Sequence, residues 1–149
     1  MRRLSSIDAD MLYGETPNWH MHVGGLMILD PSTAPTGFGL DDLTRLVSSV
    51  AAAVAPLRER LVEVPFGLDR PRWVQDPDFD PTAHVHRLEL PTPGGPEELA
   101  RLVSTLEGIK LDRTRPLWDM WLIEGRAGGR LAILAKIHQR ALTGSAARC

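Results

Sequence analysis

The segment KIHQRALTG, Lys136 to Gly144, places a histidine at the end of an apolar-alternating run, where a strand hands its last side chain to a loop. An imidazole at such a point could serve as a general base near neutral pH, although a histidine ending a strand is more often structural or simply exposed. Two His-x-His pairs, His20/His22 and His84/His86, add a second chemistry. On a strand, residues i and i+2 face the same way, so each pair could offer two zinc ligands. No cysteine lies nearby and no carboxylate sits at a spacing that supplies a third ligand. The expectation is therefore a polar strand face and no metal. The stretch GRAGG, 125–129, lacks the Lys-Ser/Thr of a phosphate loop and reads as a hairpin turn. Four tryptophans, Trp19, Trp73, Trp118 and Trp121, read as core, with Asp119 half-buried beside Trp118 and its partner unspecified.

The elements that must position these groups follow from periodicity. HMHVGGLMILD, 20–30, is a short apolar run before Pro31 and reads as a buried strand, followed by a Pro/Gly loop. Leu40, Leu43, Leu46, Val47, Val50 and Val54 recur at helical spacing, with Asp41 and Asp42 at the favourable end and Pro56 as terminator. Irregular chain then leads to a candidate strand at 71–76 and a second at 84–91. Pro96, Glu97 and Glu98 open another helix whose face is Leu99, Leu102, Val103 and Leu106. PLWDMWLIEG and RLAILAKIHQ flank the glycine turn as a hairpin, with Leu134, Lys136 and His138 on one face and Leu131, Ile133, Ala135 and Ile137 on the other. Alternating strands and helices give an α/β or α+β layered fold. The last strand has too little chain after it for a crossover helix, which reads as a chain cut off.

Bulk properties narrow the partners. The chain has 149 residues, 43% hydrophobic and 24% charged, and a formal net charge of −2, which suits one soluble domain and offers no basic field for nucleic acid. Cys149 is the one cysteine, so no internal disulfide forms and a cytoplasmic setting is expected. No signal peptide is visible, and no apolar run reaches the ~20 residues of a membrane-spanning helix.

Ordered along the chain stand LSSIDADMLYGETPN with HMHVGGLMILD, then LRERLVEVPFGLDRPRWVQDPDFDPTAHVHRLELPTPGG, RPLWDMWLIEG and LAILAKIH. This set resembles the N-terminal half of the bacterial wax ester synthase/diacylglycerol acyltransferase family, itself similar to the chloramphenicol acetyltransferase-like superfamily. The resemblance implies a two-layer lobe of a CoA-dependent acyltransferase fold, a mixed sheet with helices on one side. It implies residues 1–149 as a truncated N-terminal lobe, with a second lobe absent or separately encoded. It implies acyl-CoA as co-substrate, no bound cofactor, diacylglycerol or a long-chain alcohol as acceptor, and attachment to a lipid droplet or membrane surface.

In that family a His-His-x-x-x-Asp-Gly motif follows the strand that ends here at His138, its second histidine being the general base. Carried over, His138 and Gly144 match, Gln139 occupies the base position and Thr143 the aspartate position. Shifting the alignment around Arg140 does not restore the second histidine. A carboxamide cannot hold a proton near neutral pH, so the resemblance implies an acyltransferase whose catalysis is impaired. The alternatives are a non-catalytic lipid- or partner-binding lobe, or a degenerate gene fragment.

Overall fold

The computed structural model describes residues 2–139. In chain order the elements are β1 (Arg2–Arg3), α1 (Ser6–Tyr13), β2 (His22–Leu29), α2 (Leu40–Ala53), β3 (Glu59–Val62), β4 (Arg72–Gln75), β5 (Val85–Glu89), α3 (Pro96–Gly108), β6 (Trp118–Glu124) and β7 (Leu131–His138). A four-stranded sheet runs β2-β7-β6-β5, and a smaller one runs β1-β4-β3. Pairings β2/β7 and β6/β7 are antiparallel, whereas β5/β6 is parallel. A parallel pair cannot be closed by a tight turn, and α3 supplies the required crossover between β5 and β6. The α/β class with a mixed sheet is the fold observed.

The helices do not share one side. Leu43 and Val47 of α2 pack with Val85, Trp118, Leu122, Leu131 and Ile133. Leu99 and Leu106 of α3 pack instead with Trp121, Ile123, Ala132 and Leu134. Successive strand residues point to opposite faces, so these two clusters lie on opposite sides of β6 and β7. The expectation of two layers with helices on one side is corrected to helix, sheet, helix. The reason is visible in WDMWLIE and LAILAKIH, which are apolar on both faces; strands of that kind need two covers.

Both helices are set by their first turns. The Gly39 N–H donates to Asp42 Oδ2 at 3.0 Å, and the Gly95 N–H donates to Glu98 Oε2 at 2.9 Å. Pro96 opens α3, where its missing N–H costs nothing.

Three further differences separate the structure from the sequence reading. β2 is an edge strand rather than a buried one, with Val23, Leu26, Met27 and Ile28 each 43–51% exposed. A short apolar run does not by itself say whether a strand lies at the centre or the margin of a sheet. β3 lies within chain read as irregular, and α1 in the N-terminal stretch was not marked by apolar periodicity. Both are fixed tertiarily: Leu4, Leu12, Leu61, Trp73, Leu111 and Leu117 form a third core cluster beneath the small sheet.

Because Leu122 is fully buried between α2 and the sheet, Leu122→Ala is expected to cost about 2–5 kcal/mol in urea unfolding. Leu26→Ala on the exposed edge should cost under about 1 kcal/mol. Equal losses would contradict the marginal position of β2.

Candidate functional site

His138 closes β7 with its ring turned inward, 2% exposed, and its Nε2 lies 3.3 Å from Glu15 Oε1. The strand end is pinned on two sides. The His138 N–H donates to the Leu117 carbonyl and the Gln139 N–H to the Met21 carbonyl, each at 2.9 Å. Gln139 itself is exposed. Thr143 and Gly144, the remaining candidate residues, lie outside the described residues.

Glu15 organises this end of the sheet. Its carboxylate receives Lys110 Nζ at 3.0 Å and the Arg113 guanidinium, and accepts the Met21 N–H at 3.1 Å. Arg113 also donates to the Leu12 carbonyl at 3.0 Å, which ties the end of α1 to the segment after α3. Burial works against a charged Glu15, yet Arg113, Lys110 and the Met21 N–H outweigh it and bring its pKa down to about 2. Burial lowers the pKa of His138, with Glu15 opposing and Arg113 assisting. The ring is therefore neutral at neutral pH, with Nε2 facing the Glu15 carboxylate.

A second polar group sits on the same face. His22 pairs in register with His138, and its Nε2 lies 3.0 Å from Glu107 Oε2. Burial and nearby Lys136 lower the pKa of His22 despite Glu107. Gly24 makes this possible, because a Cβ there would stand 2.1 Å from Glu107 Oε1. Lys136, 1% exposed, donates to the carbonyls of Leu106, at 2.7 Å, and Ile109. It thus caps the negative end of α3 from the sheet, and burial lowers its pKa.

The second His-x-His pair does other work. His84 stacks on Trp118 with centroids 4.3 Å apart and donates from Nδ1 to the Trp118 carbonyl at 2.8 Å. His86 Nε2 lies 3.0 Å from Asp119 Oδ1, and Arg115 holds the same carboxylate at 3.0 and 3.1 Å. Arg115 and His86 are the partners of Asp119 that spacing left unnamed. Among the described residues, no group of three His, Cys, Asp or Glu could hold a metal ion. GRAGG is the β6–β7 turn, with Gly128 at φ 76°. Trp73, Trp118 and Trp121 are buried, whereas Trp19 is exposed.

Opposite this polar face, an apolar cavity of about 240 Å³ lies between α2 and the sheet, lined by Met27, Val47, Val50, Met120, Ile133 and Ile137 among others. It reaches the residue preceding His138. Its lining comes from α2, β2, β6 and β7, so no single stretch of sequence announced it. Glu15, Lys110, Arg113 and Glu107 were likewise missed, since each acts across long chain separations.

Acidification should destabilise the fold in two windows. Neutral His22, His84 and His138 belong to the folded state, so their contribution is whole above about pH 6.5 and declines as pH falls below it. Glu15 contributes above its ordinary value of 4.5, and this is lost as pH falls towards about 2. Thermal melts from pH 7 to 3 should show both declines. Glu15→Gln should lower stability at pH 7 by about 3 kcal/mol and flatten the acidic one; an unchanged profile would contradict the Glu15 assignment.

The wax ester synthase/diacylglycerol acyltransferase catalytic domain family matches residues 4–148. A protein of Mycobacterium tuberculosis carrying the provisional name diacylglycerol O-acyltransferase is 41% identical over 138 residues, covering 93% of this chain and 29% of that protein. The wax ester synthase/diacylglycerol acyltransferase of Marinobacter aquaeolei superposes with a TM-score of 0.77 at 33% identity, over 99% of this chain and 35% of that one. The starter condensation domain of rhizomide synthetase shares the fold alone, with a TM-score of 0.57 at 16% identity over 89% of this chain. The chain thus spans about a third of the length of the two closer relatives. A match running from Leu4 through the His138 segment, together with the superposed sheet and helices, makes this chain a member of the wax ester synthase/diacylglycerol acyltransferase family.

Proposed function

We propose that the chain forms the histidine-bearing lobe of an acyl-CoA-dependent O-acyltransferase acting on diacylglycerol or a long-chain alcohol, and that Gln139 leaves this lobe without its general base. The observation that carries the reading is the family match extending through KIHQRALTG, with Gln139 next to the strand-terminal His138. In the reaction the acceptor hydroxyl attacks the thioester carbonyl, its proton passes to a base, and CoA leaves as the thiol. A glutamine amide donates and accepts hydrogen bonds but binds no proton near pH 7. Loss of a positioned base removes about 10²–10⁴-fold in rate, or roughly 3–5 kcal/mol.

His138 does not take over the task. Its ring is buried and directed at Glu15, so it fixes the end of β7 and the α1 loop rather than facing an incoming hydroxyl. In this reading His138 positions the segment that follows it, with Thr143 and Gly144 in the motif aspartate and glycine positions. The apolar cavity under α2 reaches Ile137 and gives an acyl chain a dry wall. Met27, Leu46 and Val50 are exposed around the same cavity, which also suits a lobe that binds lipid or a partner without turnover. Among the described residues no helix is long and apolar enough to cross a membrane.

A chimera tests both parts. Residues 1–149 would replace the matching segment of the Marinobacter enzyme, and ester formation would be followed from labelled acyl-CoA with diacylglycerol or hexadecanol. With Gln139 the rate should fall about 10²–10⁴-fold below that of the Gln139→His chimera. Equal rates would overturn the impairment. No ester from a cooperatively melting Gln139→His chimera would overturn the acyltransferase reading.

A further inference from the structure

The hairpin of β3 and β4 ends in a tip that buries nothing of its own. Phe66 is 96% exposed and Leu68 82% exposed, the two most exposed large apolar side chains among the described residues. This is not loose chain. The Gly67 N–H donates to the Val64 carbonyl at 3.2 Å and the Leu68 N–H to the Pro65 carbonyl at 3.4 Å, closing a 3₁₀ turn over Pro65–Gly67. Phe66 is held there at φ 59°, the left-handed region that side chains other than Gly and Asn seldom enter. A bulky ring is kept in an unfavourable backbone conformation and presented to solvent, an arrangement that folding alone gives no reason to retain.

Around the tip, cations outnumber acids. At its base the last register pairs are Val62↔Arg72 and Arg3↔Arg72, which put two arginines side by side on the face opposite buried Leu61 and Trp73. Asp69 accepts from both Arg3 and Arg72. Arg70, also exposed, donates to the Ser6 hydroxyl at 3.3 Å. The other nearby acid, Glu63, lies 3.9 Å from Arg113. Arg3, Arg70 and Arg72 against Asp69 and Glu63 leave a local excess of one positive charge, in a chain whose overall charge is −2.

We propose that this tip is a docking point for an anionic phospholipid surface, with Phe66 and Leu68 entering the acyl boundary and Arg3, Arg70 and Arg72 facing the headgroups. An apolar body tipped into the interface with cations at the phosphate level is how peripheral segments gain both burial and attraction. The surface stands apart from His138 and Gln139, so it holds whether or not the chain turns over substrate.

Vesicle sedimentation of the purified chain tests this directly. Binding to equimolar phosphatidylcholine and phosphatidylglycerol should exceed binding to phosphatidylcholine alone, and added salt should weaken it. Arg70→Ala should weaken it about fivefold. Phe66→Gly, which relieves the left-handed strain, should keep or raise the melting temperature while reducing binding about tenfold or more. In Phe66→Trp, the indole introduced at the tip should shift its emission to the blue only when anionic vesicles are added, compared with the parent chain. Failure to sediment with anionic vesicles, or binding indifferent to Phe66→Gly, would overturn the proposal. So would Phe66→Trp emission already blue-shifted without lipid and unchanged by it, which would mean that polypeptide covers the tip.

Discussion

β6 and β7 pair over Trp118–Ile123 and Ala132–Ile137, and both strands are buried on both faces. One side of this ribbon takes Trp118, Leu122, Leu131 and Ile133; the other takes Trp121, Ile123, Ala132 and Leu134. Neither helix could be removed without exposing a row of large apolar side chains, each worth about 1.5–3 kcal/mol when buried. The remaining strands are added to this ribbon at its margins. Parallel β5 comes in through the α3 crossover, and β2 closes the other edge with its apolar residues half in solvent.

The same ribbon carries polar groups where its apolar pattern ends. Asp119, Lys136 and His138 stand on the α3 face at one end of the sheet, all buried. A buried polar or charged group is tolerated only when it is met by partners, and each of these is. Asp119 meets Arg115 and His86, Lys136 meets the carbonyls ending α3, and His138 meets Glu15. The consequence is a strand terminus whose position is set from several directions: α1, the β2 start, α3 and the segment carrying Lys110 and Arg113. That rigidity is what a segment carrying a reactive side chain needs, since a small displacement of such a group costs far more in rate than in stability. In this chain the residue that follows the pinned His138 is a glutamine.

The small sheet offers a contrast. Its inner face is sealed by Leu61, Trp73 and their neighbours, while its tip is apolar, ordered and open. Large aromatic exposure in one strained residue differs from scattered surface hydrophobes, which are normal on any protein. A chain assigned to a family named for lipid esters thus has two separate apolar surfaces, a groove under α2 and an exposed hairpin tip.

Periodicity alone placed α2, α3, β4, β5 and the β6–β7 hairpin, because each carries its signal within a few residues: helical spacing, first-turn acids, or alternation broken by glycines. It also put Lys136 and His138 on one strand face, and the ordered motifs pointed to the family and to Gln139. What it did not contain was which faces are covered. LAILAKIH is apolar on both sides and therefore demands two layers, yet nothing local says that α2 takes one and α3 the other. HVGGLMIL looks buried until the sheet order makes it an edge. Glu15 gave no sign of being the centre of a network, since Lys110, Arg113 and His138 reach it from about a hundred residues away in sequence. Local composition fixes backbone preference; burial, charge partners and the strained Phe66 depend on contacts that exist only once distant segments are packed together.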